Sequence, residues 1–382
     1  MNTIQNFYCA LWILYFLQSM RFMYLWFLPG GIIGILITAM SIFNGRELLI
    51  MRNGWHYAIL IIGFIVFSLN YEFDTFANAI NILILPLCVY YLLQTSQFFR
   101  ILLLERIRDT FFILLVFSLP FFLIYVTTGL CFNLGTIQEN IYIGINAIFF
   151  FYQPEYNIRF ASYFCEPGHL GMILSFILFT QNYDFHNKKN LFLLINLLFT
   201  LSLAAYILLF TGYFFSKMNH ISFKLNWIFG FLIIIVILYI IFSNSPILNE
   251  MILNRLVFDS DQGTISGDNR INWNAAQYFA NMNLEELFYG VGTTEMNDLE
   301  IRGTGLYIHI IQYGIIGVLS ILFYYMLILF KYKKTYLSIG LFFLYIFAFY
   351  QRSYALWACE LILFVSYVSI NEKDDNILYN YT

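Results

Sequence analysis

Charged residues are scarce in this sequence. Asp, Glu, Lys and Arg make up only 11% of the 382 residues, whereas about a quarter is usual in soluble domains. Hydrophobic residues make up 61% and aromatic residues 21%. A soluble fold cannot bury that much apolar surface, so the composition excludes a soluble globular protein and predicts an integral membrane protein.

Histidine and cysteine are also rare, with five residues of each. No group of His, Cys and carboxylate residues has metal-ligand spacing, so we expect neither a metal nor a cofactor. Five cysteines do not form a disulfide framework, but Cys131 and Cys165 lie in one predicted external segment and are candidates for a disulfide. The sequence has no internal repeat and no Pro-rich or Ser-rich linker, so we expect 1–382 to form a single membrane domain.

Long apolar runs alternate with short polar segments. The first run is followed by Arg21 instead of a small-residue cleavage site, which predicts a retained span. The run at 190–216 is either one long helix or two short helices that turn near "TLSLA" (200–204). The first run is 4–20, and the others besides 190–216 are 23–43, 56–70, 75–94, 110–130, 167–181, 225–243, 304–330, 335–350 and 353–370.

The positions of the basic residues predict the orientation. The basic loops can all be cytoplasmic only if 190–216 crosses twice, because positive charge favours the inner side. This predicts an all-α polytopic bundle of about twelve transmembrane helices with both termini inside. The basic residues behind this prediction are Arg46, Arg52, Arg100, Arg106, Arg108, Lys188, Lys189, Lys217, Lys224, Lys331, Lys333 and Lys334.

Two long segments, 131–166 and 244–303, are then external. The second is too long for a simple connector. Within it, 270–288 ("RINWNAAQYFANMNLEELF") has helical periodicity and predicts one amphipathic helix. Its predicted apolar face consists of Trp273, Ala276, Phe279, Ala280 and Leu284. "GVG" (290–292) predicts a turn, because no strand precedes it as a dinucleotide-binding loop requires.

Every basic residue on the predicted external side is an arginine, and every lysine is on the cytoplasmic side. The planar guanidinium binds phosphate or carboxylate with two hydrogen bonds, which lysine cannot do. This indicates recognition of an anionic group such as a diphosphate; the alternative is structural ion pairing with the loop acids. The external arginines are Arg21, Arg159, Arg255, Arg270, Arg302 and Arg352.

The external segments also limit the class of ligand. The many acids of 244–303 would repel a polyanion, so nucleic acid is not the expected partner. Acidic and aromatic residues beside arginines favour a hydroxyl-rich substrate with one charged end, such as a lipid-linked sugar.

"RFASYFCEPGH" (159–169) places ionisable residues directly before an apolar run. Pro167 suits the first position of a helix, and Glu166 would face the positive end of the helix dipole, which is a purely structural interpretation. It does not account for Arg159 or His169. Ionisable groups at membrane depth are costly unless they are paired or functional, so Arg159, Glu166 and His169 are candidate catalytic residues. Glu360, in the last span, either forms a polar pair with a neighbouring helix or binds and releases a proton.

The motif "RFASYFCEPGHLG" resembles the arginine…glutamate-proline-glycine stretch of bacterial O-antigen polymerases. "NRINWNAAQYF" with "FYGVG" is similar to the arginine-plus-tryptophan helix of that family and the glycine turn that ends it. "GLYIHIIQYGIIG" (305–317) resembles the helix after the large external loop, and "TLSLA" resembles a hairpin of the family. The resemblance covers roughly residues 110 to 330 and keeps the order of the motifs.

The resemblance implies a polymerase of the C-type glycosyltransferase superfamily in the bacterial inner membrane. Such an enzyme joins undecaprenyl-diphosphate-linked repeat units at the periplasmic face, where it contacts membrane lipids and where a chain-length regulator and a flippase are candidate partners. Arg159 and Arg270 would stabilise the diphosphate, Glu166 would orient Arg159 or act as the base, and His169 would assist. Arg255, Arg302, His309 and Trp273 are the candidate substrate-binding residues.

Two other functions are compatible with the sequence. O-antigen ligases carry a His-Asn pair shortly before the Gly-x-x-Gly, where this sequence has Gly303 and Thr304, and this departure counts against a ligase. A flippase or other transporter of lipid-linked sugars should show related halves around a central cavity, and none is visible. His309 lies deeper in its helix than the ligase histidine, and we interpret it as a packed helix histidine.

Overall fold

The computed structural model describes residues 3–49, 54–70, 76–139, 142–153, 158–217, 258–259, 264–265, 273–301, 305–332, 336–351 and 356–370. Most of them are helical, which confirms the expected predominance of α-structure. The predicted span at 225–243 lies outside these residues. The helices are α1 (Thr3–Ser19), α2 (Gly30–Phe43), α3 (Gly45–Leu48), α4 (Gly54–Asn70), α5 (Phe76–Gln94), α6 (Gln97–Thr128), α7 (Pro167–Thr180), α8 (Lys188–Phe199), α9 (Leu203–Lys217), α10 (Trp273–Asn281), α11 (Leu284–Tyr289), α12 (Gly292–Asp298), α13 (Leu306–Lys331), α14 (Tyr336–Gln351) and α15 (Ala358–Val368).

Two helices, α6 and α13, are long and apolar enough to cross a membrane. Only 28% of the most apolar window of α6 is buried inside the protein, so most of its apolar surface faces outward. An outward apolar surface of this kind indicates a membrane protein. The other apolar helices found among the described residues have 10–17 residues. The predicted number of about twelve spans is therefore not confirmed.

Two predicted spans have different bounds in the structure. The run at 23–43 contains only a 3-10 turn, Met23–Leu25, before α2 starts at Gly30. Pro29 explains the late start, because proline biases the residue before it away from the helical region. The run at 110–130 belongs to α6, which starts earlier, where the Ser96 hydroxyl accepts a hydrogen bond from the Phe99 N–H at 3.0 Å. It ends at Gly129, whose φ of 72° is left-handed.

The apolar run at 190–216 forms two helices, α8 and α9, which confirms the predicted split. The chain turns at Thr200 and Leu201, and Leu201 has a φ of 45°. An apolar residue with positive φ is uncommon and ends a helix abruptly. The turn lies next to α7, because the Ser175 hydroxyl on α7 donates a hydrogen bond to the Ala205 carbonyl on α9 at 3.1 Å.

Every residue of α7 is buried. A helix that is apolar on all sides occupies the centre of a bundle, and α7 accordingly packs against α8, α9, α15 and α6. Its N-terminus, which carries Glu166 and His169, is thereby held inside the protein.

Helix ends that are predicted for the same side of the membrane lie together. At one end, the Cys359 N–H donates to the Ser19 hydroxyl at 2.9 Å, and Phe22 pairs with Phe164 in a β-bridge. These contacts join the end of α1, the start of α7 and the start of α15. At the other end, the buried guanidinium of Arg100 donates to the carbonyls of Thr95 and Ser369. The relative directions of these helices agree with the predicted alternation.

The segment before α7 enters the bundle instead of covering it. The Phe164 ring stacks on Phe111 of α6, with 5.6 Å between ring centroids and 6° between planes. Phe111 lies seventeen residues before the last residue of α6, Thr128, which is about 26 Å along the helix at 1.5 Å per residue. The polar residues next to Phe164 therefore lie far from the C-terminal end of α6, inside the bundle.

Part of the segment 131–166 forms a small antiparallel sheet, a structure that the sequence patterns did not predict. Its strands are β1 (Thr136–Glu139), β2 (Tyr142–Asn146) and β3 (Phe151–Tyr152), paired in the order β1-β2-β3. The buried Phe151 donates its N–H to the Ser162 carbonyl at 2.7 Å, which attaches the sheet to the segment before α7. A second ladder joins β4 (Phe258–Asp259) to β5 (Thr264–Ile265).

The predicted amphipathic helix 270–288 is interrupted, so the prediction of one helix was wrong. Asn283 starts α11 with a capping box, in which its side chain accepts from the Glu286 N–H at 2.9 Å and Glu286 accepts from the Asn283 N–H at 3.1 Å. Such a box satisfies the first N–H groups of a new helix. The break therefore comes from a polar residue that an apolar-periodicity argument does not weigh.

The buried face of α10 also differs from the predicted one. Ala275 is fully buried, with Tyr278, Phe279 and Met282 partly buried around it. Ala276 and Ala280 are exposed, and Leu284 is 73% exposed. The face is set by the start of α13, where Phe279 meets Tyr307 edge to face at 4.7 Å. The predicted face was displaced by one residue around the helix.

The turn at 290–292 is attached to α13 through the main chain, which confirms that this stretch is a turn. The Val291 N–H donates to the Ile311 carbonyl at 2.8 Å. Gly290 and Gly314 both have left-handed φ angles, 74° and 67°. A Cβ atom at Gly290 would collide with the Gln312 carbonyl, and one at Gly314 would collide with the Phe288 carbonyl.

Candidate functional site

Cys165, Glu166 and His169 form a cluster at the N-terminus of α7. The Cys165 Sγ lies 2.9 Å from Nδ1 of His169, and Nε2 of His169 lies 3.6 Å from Oε2 of Glu166. Pro167 starts the helix, and Glu166 before it has an extended backbone, with φ −151° and ψ 137°. The two flanking side chains therefore meet opposite edges of one imidazole ring.

Glu166 does not act as a helix cap. It occupies the N-cap position of α7, yet its side chain accepts no capping hydrogen bond. Its carboxylate instead faces the imidazole of His169. The helix dipole, which favours a carboxylate at this position, is therefore the only stabilisation that the helix end itself offers Glu166.

The three side chains differ in exposure. Cys165 is 1% exposed, the His169 side chain is 2% exposed and the Glu166 side chain is 19% exposed. Glu166 is thus the member of the cluster that a ligand can touch. His169 and Cys165 lie behind it.

Arg21 and Trp357 extend the cluster. The His169 ring lies 5.8 Å from the Trp357 ring, and Cζ of Arg21 lies 5.5 Å from the Trp357 ring centroid. Arg21 has a φ of 56°, and its carbonyl accepts a hydrogen bond from the Trp26 indole. Left-handed backbone at an arginine is strained, and such strain concentrates at functional sites. A guanidinium over an indole face is a favourable cation–π arrangement.

Arg159 is buried and tied to the α8–α9 turn. Its Nε donates to the Thr200 carbonyl at 3.3 Å, and the neighbouring Phe160 N–H donates to the Phe199 carbonyl at 3.1 Å. The contact that the structure places at the Glu166 carboxylate is His169, and the contact that it places at the Arg159 Nε is the Thr200 carbonyl. Arg159 lies seven residues before Glu166 in the same recessed segment.

The predicted substrate-binding residues are not assembled with this cluster in the part of the chain that the structure describes. Arg255, Arg270 and Arg302 lie outside the described residues, as does the side chain of Trp273. His309 is buried in α13, where its ring stacks on Phe349 with a centroid distance of 4.2 Å and faces Tyr313 at 6.0 Å. This is the environment of a packed helix histidine.

The predicted disulfide between Cys131 and Cys165 is absent. All five cysteines are described and free. The Cys131 thiol lies 3.8 Å from the Tyr152 hydroxyl, whereas the Cys165 thiol contacts His169. The two thiols therefore have different partners, although their residues share one predicted external segment.

Tyr163 and Glu360 are two further ionisable residues near the bundle interior, and both are surrounded by packed side chains. Burial raises the pKa of the Tyr163 phenol to about 12, so this residue is neutral at physiological pH. Glu360 is buried and hydrogen-bonds Tyr345, which stacks on Tyr325 at 3.8 Å. This hydrogen bond joins α15 to α14 and is the contact expected of an interhelical polar pair.

Sequence patterns did not select Cys165, Trp357 or Arg21 for the site. Cys165 was weighed only as a disulfide partner, and Arg21 only as one of several external arginines. Their role depends on contacts between the ends of α1, α7 and α15, and these helices are far apart in sequence. The available signal was the position of Cys165, which lies next to the Glu-Pro-Gly motif and four residues before His169.

No family model, curated protein or solved structure matches this chain. The resemblance to O-antigen polymerases therefore consists of the quoted motifs alone.

Proposed function

We propose that this protein is an O-antigen polymerase, a glycosyltransferase that joins undecaprenyl-diphosphate-linked repeat units. The observation that supports this most is the cluster of Glu166, His169, Cys165 and Arg21 in an otherwise apolar bundle. Ionisable side chains inside such a bundle are costly and mark functional sites by default. The cluster lies in the motif that resembles the family.

The reaction requires a base and cations. An acceptor hydroxyl oxygen bonds to the anomeric carbon of the donor, and the bond from that carbon to the diphosphate oxygen breaks with its electron pair leaving on the diphosphate. The hydroxyl proton passes to a base, and cationic groups stabilise the charge that develops on the leaving group. No other bond changes.

Glu166 is the base in this proposal. Its carboxylate is the exposed member of the cluster, and it makes no helix cap. Arg21 and Arg159 are the predicted external arginines that the structure describes, and they and Arg270 are the diphosphate ligands in this proposal. Guanidinium groups serve this role because they present paired donors to phosphate oxygens.

In the proposed setting the bundle crosses the bacterial inner membrane about twelve times, the number that the positive-inside rule requires. Both termini are cytoplasmic, and the cluster opens toward the periplasm. The shared positions of helix ends and the apolar outer face of α6 support this arrangement. The site lies below the end of α6, where a lipid-linked donor and a membrane-bound acceptor can both reach it.

Deletion of the gene tests the function. We expect lipid A-core that carries a single repeat unit, because a separate ligase still transfers unpolymerised units, and complementation should restore long chains. The two alternatives give different glycans. Loss of a ligase would leave long polymer on the lipid carrier, and loss of a flippase would leave repeat units on the cytoplasmic side; either pattern would contradict the proposal.

A further inference from the structure

The proposed reaction assigns no role to Cys165, although its thiol makes the shortest contact in the cluster, 2.9 Å to Nδ1 of His169. We propose that Cys165 is a positioning residue of this reaction: its thiol donates a hydrogen bond to Nδ1 of His169 and keeps the Nε2 proton directed at the Glu166 carboxylate. This inference rests on the proposed function, because it assigns a use to Glu166 as the base.

The direction of the thiol hydrogen bond follows from burial. Cys165 is 1% exposed, and the Phe160 and Phe164 side chains of its segment are fully buried. A thiolate in such surroundings is costly, because burying a charge in an apolar region is unfavourable. A neutral thiol sulfur is a weak acceptor, whereas an imidazole nitrogen lone pair is a strong one, so the favoured bond runs from the Sγ–H to Nδ1.

The direction of the first bond fixes the second. A neutral imidazole carries one proton, so an Nδ1 that accepts leaves the proton on Nε2. Nε2 faces Oε2 of Glu166 at 3.6 Å. In this tautomer the N–H is attracted to the carboxylate, whereas in the other tautomer a nitrogen lone pair would face it and repel it. Cys165 therefore selects the tautomer that supports an ionised Glu166.

The surroundings also hold the ring in this orientation. Trp357 packs against His169 with a centroid distance of 5.8 Å, and the His169 side chain is 2% exposed. A ring flip would place Cδ2 where Nδ1 lies and Cε1 where Nε2 lies, and so would break both contacts. The chain of contacts thus runs from a buried thiol, through a buried imidazole, to the exposed carboxylate.

A thiol that only fills space would behave differently. Cys88 provides the comparison within this chain, because its thiol is also buried and contacts the Gly34 carbonyl at 3.8 Å and the Thr38 side chain, neither of which is a histidine. The substitution Cys88→Ala removes the same atoms from the bundle without touching a histidine. Serine at position 165 keeps a hydroxyl donor within reach of Nδ1, so Cys165→Ser separates hydrogen bonding from packing.

The first test measures the tautomer and needs no activity. Purified protein in detergent is labelled with [15N]histidine, and the signal of His169 is identified among five histidines by its absence in His169→Gln. We expect an Nε2-protonated ring in the native protein, in Cys165→Ser and in Cys88→Ala, and a mixture of tautomers in Cys165→Ala. A ring protonated on Nδ1, or an unchanged tautomer in Cys165→Ala, would overturn the inference.

The second test measures chain extension in membranes, with lipid-linked repeat units extracted from the deletion strain as substrate. We expect Cys165→Ala to lower kcat about tenfold, a fraction of what a general base contributes, with KM unchanged. Cys165→Ser should restore most of the rate and Cys88→Ala should have no effect. Full activity of Glu166→Gln would refute the proposed base itself. An inactive Glu166→Gln together with a fully active Cys165→Ala would refute only the role of Cys165.

Discussion

At the scale of single residues, the polar groups of the recessed segment were predictable in part. Glu166, His169 and Arg159 stand out because ionisable residues directly before an apolar helix are costly there. What the sequence could not reveal is how they pair. The predicted partner of Glu166 was Arg159, whereas the structure places His169 beside Glu166 and the Thr200 carbonyl beside Arg159. Spacing along an irregular segment does not determine which side chains meet.

Glu166→Gln should lower the rate of chain extension by at least about a hundredfold, because a general base contributes 10²–10⁴. The free energy of unfolding should fall by no more than about 1 kcal/mol, the usual value of a carboxylate at a helix N-terminus. Chain length on gels and thermal unfolding in detergent measure the two effects. Glu285→Gln, an exposed carboxylate of α11, is the control and should behave as the native protein. Normal chains in Glu166→Gln would remove Glu166 from the reaction.

Arg159→Lys should be almost as inactive as Arg159→Ala, with chain extension reduced more than about tenfold, because charge without the planar fork does not bind phosphate with two bonds. Lysine also lacks the Nε that donates to the Thr200 carbonyl. We expect the same of Arg270→Lys, while the exposed Arg46→Lys should keep normal chains. Normal chains in both lysine variants, at matched membrane levels, would show that Arg159 and Arg270 are structural.

At the scale of elements, charge distribution was more informative than apolar periodicity. The split of 190–216 into α8 and α9 was predicted from the basic loops on either side and is confirmed. The helix at 270–288 was predicted from periodicity alone, and both its continuity and its face were wrong. A capping box interrupts it, and the start of α13 decides which side is buried. Tertiary contacts thus override a weak amphipathic pattern.

Gly314→Ala should destabilise the attachment of α10 to α12 on α13. Its φ of 67° strains any side chain, and a Cβ would collide with the Phe288 carbonyl. Strained backbone costs about 1–3 kcal/mol, so we expect a lower free energy of unfolding and faster proteolysis within 273–301. Gly54→Ala is the matched control, since a Cβ there meets no atom within 4 Å. Equal stability of the two variants would contradict the described contact.

At the scale of the whole molecule, composition predicts the class and the bundle, and helix lengths explain why the span count is not reproduced. Several helices are too short to cross a membrane alone: α7 has 14 residues and α15 has 11, about 21 Å and 16 Å at 1.5 Å per residue. A hydropathy argument counts apolar runs and does not see that α7 and α15 end inside the bundle. Because α7 is short, the cluster at its N-terminus lies far from the C-terminal end of α6.

Cysteine labelling tests the orientation, with single cysteines introduced into a variant that lacks the five native ones. We expect a membrane-impermeant thiol reagent added to intact spheroplasts to label positions near 150 and 265. Positions near 188, 220 and 333 should react only after the membrane is opened. Lys188, which is exposed at the start of α8, is a suitable inner position. Labelling of position 265 from the cytoplasmic side alone would reverse the predicted sides and exclude a periplasmic site.

The contact between Gly290 and Gly314 limits how this protein can change. When two side chains clash, a smaller residue at one position can compensate for a larger residue at the other. Here each glycine faces main-chain atoms of the opposite segment, and no amino acid is smaller than glycine. A mutation at either position therefore has no simple second-site suppressor at the other. The outer face of α11 carries exposed side chains such as Leu284 and Tyr289, so these positions can vary while the contact between the two glycines cannot.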